Sequence, residues 1–446
     1  MALSGVEIFK HLPKTNCKKC GHPTCLAFAM KLAAKQASLD ACPDASEDAK
    51  KILGESAAPP IRGITLGLGD KAVKVGEEIC LFRHDKKFFN PNVFAVAIKA
   101  SEAGDAAAKK IDAVKHSEID RVGQKLRVDA IAVTDEGGDA AKFASVVKQV
   151  VDGAPGVPII LVSKIPATIE AGIAHCADKR PLIYAATAEN AEAMAKIAKE
   201  KKASLAIAAD GLDALTALSE KVKALGVDDL VLDSGARKVK DMIEHYTIIR
   251  RAAIKKNFKP LGYPIIAFAG RDNAVSETMA AAIGTMKYAS IIILNNVEKW
   301  KMLALLSLRQ NIYTDPQVPM QVAQNVYKVG DAKDTSPLMI TTNFSLSYFI
   351  VRGEVENSKV PAWLAVMDNE GLSVLTAWAA GKFTAGKIAA FITESGVEKT
   401  IKHKELIIPG YVAILSGALE EKLPGWKITV GPREANGLPS FLKGRA

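Results

Sequence analysis

Four of the chain's six cysteines, Cys17, Cys20, Cys25 and Cys42, fall in the first tenth of the sequence with the spacing C-x2-C-x4-C-x16-C. Thiolates held this closely either bind metal or pair as disulfides. Met1 to Glu7 carries neither the basic flank nor the apolar core of a secretory signal. A reducing compartment, the cytoplasm, is therefore expected, and metal is favoured over disulfides. Structural zinc sites tend to use two short C-x2-C pairs. Here one such pair is followed by a third cysteine beyond Gly21 and Pro23 and by a distant fourth, which also suits an iron–sulfur cluster; zinc stays the alternative. Gly21 and Pro23 favour a tight wrapping turn that leaves backbone N–H groups free for cluster sulfurs. The alanine-rich run Leu26–Ser38 reads as a helix that carries the chain back to Cys42. His22 reads as a turn residue, because four cysteines already complete a four-iron cubane.

The elements that must position such a site belong to a large chain. Its 446 residues allow roughly two to four domains. An apolar content of 49% with 24% charged residues is that of a soluble globular protein, and no apolar run is long enough to span a bilayer. The net charge of +10 suits acidic partners or anionic ligands. Lysines spread along helical stretches and an aromatic content of 6% argue against nucleic acid. Cys80 and Cys176 stand alone and read as packing thiols.

Residues 1–57 read as the cluster domain, closing with a short helix over Asp44–Gly54 and a linker over Glu55–Pro60 whose double proline cannot continue a helix. A hairpin is expected next, Ile64–Leu68 against Glu78–Phe82. From Val93 short apolar runs alternate with helical stretches: Val93–Ile98, Ala130–Val133, Pro158–Val162, Leu182–Ala185, Leu205–Ala208, Leu230–Leu232, Ile265–Ala269 and Ser290–Leu294. Near-continuous apolar strands mean parallel sheet covered on both faces. Eight βα units in about 220 residues fit a closed (β/α)8 TIM barrel, residues 58–322, with a doubly wound sheet as runner-up. Residues 323–446 repeat the rhythm four times, with strands at Leu338–Thr342, Ala362–Met367, Leu406–Ile408 and Trp426–Val430 and helices at Leu346–Glu356, Val374–Glu394, Val412–Leu423 and Glu434–Leu442. This is an open α/β sheet of Rossmann or flavodoxin type, whose ligands bind beyond the carboxyl ends of the strands. Neither G-x-G-x-x-G nor a phosphate-binding G-x-x-x-x-G-K-[ST] loop is present.

The run Asn16-Cys17-Lys18-Lys19-Cys20-Gly21-His22-Pro23-Thr24-Cys25 with Cys42 resembles the four-cysteine cluster domain of anaerobic electron-transfer subunits. Together with Thr341-Thr342-Asn343-Phe344-Ser345 and Gly371-Leu372-Ser373-Val374-Leu375-Thr376, and with the domain order, it makes the whole chain resemble the large (gamma) subunits of the corrinoid iron–sulfur proteins of the reductive acetyl-CoA (Wood–Ljungdahl) pathway. The resemblance implies an α/β multidomain protein with a 4Fe-4S cluster on Cys17, Cys20, Cys25 and Cys42 and a cobalamin-type corrinoid in the C-terminal domain. Its Co(I) would take a methyl group from methyltetrahydrofolate, with the help of a separate methyltransferase, and donate it to acetyl-CoA synthase. The cluster would restore Co(II) with one electron from a donor such as ferredoxin. The implied partner is a small barrel subunit, forming a heterodimer. Corrinoid contacts are expected at Thr341, Thr342, Asn343, Phe344, Ser345, Gly371, Leu372, Ser373, Val374, Thr376, Gly410, Tyr411, Gly431, Pro432, Arg433, Glu434 and Ala435. Ser373 and Thr376 are assigned to the lower face, with helix N-capping as their plain alternative.

Many corrinoid proteins ligate cobalt through the histidine of a D-x-H-x-x-G motif, and that motif is absent. His403 is the C-terminal domain's one histidine, and it precedes the third strand, at the wrong end of the sheet. No protein lower ligand is therefore expected, which would ease reduction to Co(I). Two other readings compete. One is a flavodoxin-like electron-transfer subunit binding FMN. The other is a folate-binding methyltransferase acting on the barrel's strand ends, where Asp233 or Asn295 would be needed.

Overall fold

The computed structural model describes residues 4–33, 37, 39–46, 49 and 59–445. After Pro60 the chain turns back on itself as a short hairpin, β1 (Ile64–Leu66) against β2 (Val73–Val75), with Ile64 opposite Val75. The expected partner, Glu78–Phe82, forms no strand. Gly67 (φ +79°) and Gly69 (φ +66°) reverse the chain immediately, so the nearest apolar stretch pairs instead. Glu78 turns inward and its carboxylate meets Arg250 at 3.0 Å, both side chains buried. Ile64, Leu66 and Val75 pack into the interior layer formed by Val93, Leu182, Ile266 and Ile291, and so plug the amino-terminal end of the barrel.

All eight apolar runs of the central region are parallel strands. They are β3 (Val93–Lys99), then, after a hairpin of β4 (Ile119–Arg121) and β5 (Gln124–Leu126), β6 (Ala130–Thr134), β7 (Ile159–Val162), β8 (Leu182–Ala186), β9 (Ser204–Ala208), β10 (Leu230–Asp233), β11 (Ile266–Phe268) and β12 (Ile291–Leu294). Their order is β10-β9-β8-β7-β6-β3-β12-β11, and a single parallel bridge, Leu232 to Ile265, brings the two ends together. The result is a nearly closed (β/α)8 barrel with a packed interior, which is why its strands read as unbroken apolar runs. Among the described residues, no helix is long and apolar enough to cross a membrane.

The β4–β5 hairpin, which the sequence reading missed, turns on Val122 (φ +52°) and Gly123 (φ +70°), the two positive φ values that a two-residue hairpin requires. It groups with the second compact unit, Ile119–Leu126 and Thr314–Ala446, while Met1–Glu118 and Arg127–Tyr313 form the first. Gly123 approaches Phe349 so closely that a Cβ would lie 2.5 Å from the ring.

In the second unit the sheet runs β13-β15-β14-β16-β17, with β13 (Asn325–Val329) an antiparallel edge strand and β14 (Leu338–Thr342), β15 (Ala362–Met367), β16 (Glu405–Ile408) and β17 (Lys427–Val430) parallel. Apolar layers cover both faces. The four parallel strands match the expected four, and β13 is additional. The stretch expected as one helix, Val374–Glu394, is two, Val374–Ala379 and Ala385–Glu394. Gly381 (φ +67°) ends the first and the Thr384 side chain, accepting from the Lys387 N–H, starts the second. This unit takes up the chain at Thr314, ahead of the 322/323 division drawn from sequence, because Met320–Val322 already bonds to the end of β14: Val322 N–H donates to the Asn343 carbonyl and Ser345 N–H to the Met320 carbonyl, each at 2.9 Å. Most of the expected helix Asp44–Gly54, the start of the linker and the division at 57/58 lie outside the described residues.

Candidate cofactor sites

The four cysteines are carried by three local structures. Asn16 (φ +48°), Lys18 (φ +61°) and Gly21 (φ +78°) bend the loop through left-handed conformations, and the Asn16 side-chain oxygen accepts from the Cys25 N–H at 2.8 Å, pinning the loop to the helix Cys25–Ala33. A helical turn over Leu39–Ala41 then delivers Cys42. Ile8, Leu12, Phe28 and Ala29 form an apolar floor against which Cys25 and Cys42 are buried, while Cys17 is exposed. Burial pushes the Cys42 thiol up; an N–H from Asp44 opposes this, and charge on Cys20, Cys17 or Cys25 would add to it. The Lys19 ammonium reaches Asp44 at 3.0 Å, tying the C-x2-C loop to the Cys42 segment. No three Cys, His, Asp or Glu side chains are gathered as ligands of one ion among the described residues. Four soft thiols on these neighbouring segments have the donor chemistry of an iron–sulfur site.

The second site lies at the carboxyl end of the β14–β17 sheet. From β14 the chain goes first to β15 on one side, then to β16 on the other, so the strand order reverses between β14 and β16. A crevice opens at such a reversal because the two connections leave on opposite faces. Its walls are apolar: Ile340 and Ile408 from the strands, Ile350 and Val351 from the helix Ser345–Ser358, and Val374 and Leu375 from the helix Val374–Ala379. Its rim is the two loops Pro409–Tyr411 and Gly431–Ala435. They meet at Gly410, where a Cβ would stand 2.5 Å from the Gly431 carbonyl oxygen, and are tied by the Tyr411 hydroxyl donating to Glu434. That bond raises the tyrosine's pKa above its ordinary value.

Of the residues singled out from sequence, Thr341, Ser373, Val374, Tyr411, Gly431, Pro432, Arg433 and Ala435 line this cleft. Gly410 and Glu434 shape its rim, as above, and Thr376 reaches it through Ser373, whose hydroxyl pairs with that of Thr376 at 2.9 Å. Ser373 occupies the N-cap position yet makes no side-chain cap bond, so its hydroxyl is not used in the way the plain alternative required. Thr342, Asn343, Phe344, Ser345, Gly371 and Leu372 do not line the cleft. Asn343 is a strut: its amide donates to Asp368 (2.9 Å) and Gln321 (3.2 Å), and its oxygen accepts from the N–H groups of Asn369 (2.9 Å) and Gly371 (3.0 Å). The Thr342 hydroxyl is fully buried without a partner. Ile350, Val351 and Leu438, missed from sequence, enter from helix faces. The apolar spacing of the helix after the first strand was the available signal.

No histidine lines the cleft. His403 precedes β16, and both ring nitrogens are engaged, Nε2 with the Ser336 carbonyl at 2.8 Å and Nδ1 with the Glu405 N–H at 3.2 Å. At the barrel's carboxyl end, Asp233 is buried and saturated. It accepts from both Arg237 terminal nitrogens (2.9 and 2.7 Å), the Tyr184 hydroxyl (2.7 Å) and the Gly235 N–H (3.0 Å). Burial, followed by the Asp233 charge, drives the Tyr184 pKa up.

The fold and sites define a multidomain α/β protein with an N-terminal cysteine centre and an apolar cleft near its C-terminus. Residues 63–442 match the family described as CO dehydrogenase/acetyl-CoA synthase delta subunit, and residues 12–43 match one described as putative Fe-S cluster. The chain is 45% identical over 99% of its length to the corrinoid/iron-sulfur protein large subunit of Moorella thermoacetica, covering 99% of that protein. It is 35% identical over 99% of its length to the acetyl-CoA decarbonylase/synthase complex subunit gamma of Methanopyrus kandleri, covering 97% of it. Its identity to the corresponding subunit of Methanothermobacter thermautotrophicus is 33%, with 99% of each chain covered. The chain belongs to this family of corrinoid/iron–sulfur protein large subunits and acetyl-CoA decarbonylase/synthase gamma subunits.

Proposed function

We propose that this chain is the methyl-carrying subunit of an acetyl-CoA-synthesising system. Cys17, Cys20, Cys25 and Cys42 would hold a 4Fe-4S cluster, and the cleft between β14 and β16 a cobalamin-type corrinoid. When bound, the corrinoid supplies a low-valent cobalt nucleophile for methyl transfer and the cluster supplies single electrons. The observation that carries the reading is an apolar crevice at the strand-order reversal, with no imidazole in its lining, in a chain 45% identical over its full length to a relative named for a corrinoid and an iron–sulfur centre.

The chain's own residues have distinct tasks. Ile340, Ile350, Val351, Val374 and Leu375 would exclude water from a bound macrocycle, and the Ser373–Thr376 hydroxyl pair would offer it neutral donors. Arg433, the cation of the lining, would meet the phosphate of the corrinoid's nucleotide tail. Asn343 holds the 368–371 loop in place, and Gly410 lets the two rim loops close on each other. His403 is engaged at the other end of the sheet, so the cleft's lining would hold a corrinoid without an imidazole of its own. The partners would be a barrel subunit forming a heterodimer, a methyltetrahydrofolate methyltransferase, acetyl-CoA synthase and a ferredoxin-type donor.

Two features weigh against the alternatives. The loop after β14, where flavodoxins bind phosphate, is covered by Met320–Val322, with its backbone groups engaged there. Asp233, required by the folate reading, has its oxygens filled by Arg237 and Tyr184. Protein stripped of cofactor and titrated separately with hydroxocobalamin and FMN tests the reading. Stoichiometric cobalamin uptake with a shifted corrinoid spectrum supports it, and tight FMN binding without cobalamin uptake refutes it.

A further inference from the structure

The turns that lead into β8, β9 and β10 lie side by side, because these strands are parallel neighbours in the barrel. On this amino-terminal side is a cleft of about 470 Å³ lined by Arg62, Arg180, Lys199, Lys202, Asp228 and Asp229. Its charges do not cancel. Asp229 accepts from Arg62 at 2.9 Å and offsets it. The Lys199 ammonium donates to the Leu225 carbonyl at 3.0 Å, which leaves its charge without a counter-ion. Arg180 and Lys202 are exposed and make no ion pair among the described residues. Beyond the Arg62–Asp229 pair, Arg180, Lys199 and Lys202 therefore share the cleft with Asp228 alone. Arg180 (φ +50°) and Lys202 (φ +52°) are also left-handed, a conformation in which glycine or asparagine is the cheaper choice. Lys199 and Lys202 stand at the end of the helix Ala191–Lys201, where cations offset its dipole. Arg180 has no such task, because it follows a turn of only three residues, Ala177–Lys179.

We propose that this cleft binds the phosphate or diphosphate group of a small molecule. A phosphate accepts hydrogen bonds from several directions at once. The Arg180 guanidinium forks onto two of its oxygens, and the Lys199 and Lys202 ammonium groups add point charges. A lone carboxylate would satisfy one of these cations, whereas a multiply charged anion matches the unbalanced charge. The volume is that of a small-molecule site rather than of a bare ion, so an organic remainder fits beside the phosphate. Asp228 accepts from hydroxyl or amino groups of that remainder.

The test uses the full-length, cofactor-loaded protein in phosphate-free buffer at low ionic strength, titrated by calorimetry with inorganic pyrophosphate and, separately, with ADP. Three variants are compared with the native chain. Lys202→Gly removes a cation at a position whose φ suits glycine, so the thermal midpoint should not fall. Arg180→Gln removes a second cation of the cleft. Lys109→Gln changes the net charge equally at an exposed helix position outside it. The expected result is binding of pyrophosphate that K202G and R180Q each weaken at least ~10-fold and K109Q leaves unchanged. Tighter binding of ADP than of pyrophosphate shows that the organic remainder is read as well, and equal binding shows that the diphosphate alone is; both support the site. No binding at millimolar pyrophosphate overturns it. So does binding that neither K202G nor R180Q weakens, or that K109Q weakens as much, which marks an adventitious ion only.

Discussion

Replacing Asn343 tests how the cleft is held open. Its side chain is 2% exposed, and its oxygen is the acceptor for two backbone N–H groups, those of Asn369 and Gly371. Asn343→Ala leaves both without a partner in a buried turn. Each orphaned N–H costs about 1–3 kcal/mol, and the two lost donor bonds to Asp368 and Gln321 add less because those groups can turn to water. The expected loss is about 3 kcal/mol, a shift of about 100-fold in the folding equilibrium of this unit. Three of the four tryptophans, Trp363, Trp378 and Trp426, lie in the second unit and report on it, so urea unfolding followed by fluorescence measures the effect. Asn343→Asp keeps the acceptor but sets a second carboxylate beside Asp368. Its smaller penalty should shrink as the pH falls and one carboxyl takes a proton. An unchanged unfolding midpoint and unchanged corrinoid retention in the alanine variant would refute the strut.

Gly410→Ala places a Cβ against the Gly431 carbonyl and the Arg433 N–H, forcing the rim loops apart. Corrinoid retention should fall at least tenfold, read by cobalt content, while the iron content is untouched. Cys42→Ser should remove most of the iron, measured by iron and sulfide analysis, and leave the cobalt. Burial pushes the Cys176 thiol up to about 12 and raises Cys80 in the same direction, so both should resist alkylation at pH 8 in the native protein and react after unfolding. The sign for stability follows: a thiol held protonated by the fold contributes fully below its unfolded value near 9, and that contribution is lost as the pH rises from there through about 12.

What the sequence made legible follows from how much of each element is buried. The eight barrel strands could be read because both their faces are covered, leaving runs such as Ile291–Leu294 without a polar residue. The β4–β5 hairpin and β13 were missed because they are partly exposed and their patterns mixed. Val122-Gly123 was the one clear turn signal of the former. The wrong partner for β1 came from favouring the longer apolar run over the tighter turn. At the cleft, the rule that ligands sit beyond the carboxyl ends of strands pointed to loops of which several border it. It could not say that Asn343 and Gly371 brace a loop while Ser373 and Arg433 line the space. That distinction depends on hydrogen bonds formed across residues 320–322 and 368–371, which no local pattern encodes.

The most direct test is electron paramagnetic resonance of the cobalt in the purified, partly oxidised protein, alongside cobalt quantification. About one cobalt per chain, giving a Co(II) signal without nitrogen superhyperfine splitting, is the predicted result. A signal split by an imidazole nitrogen, or a cleft that retains no cobalt, would contradict it.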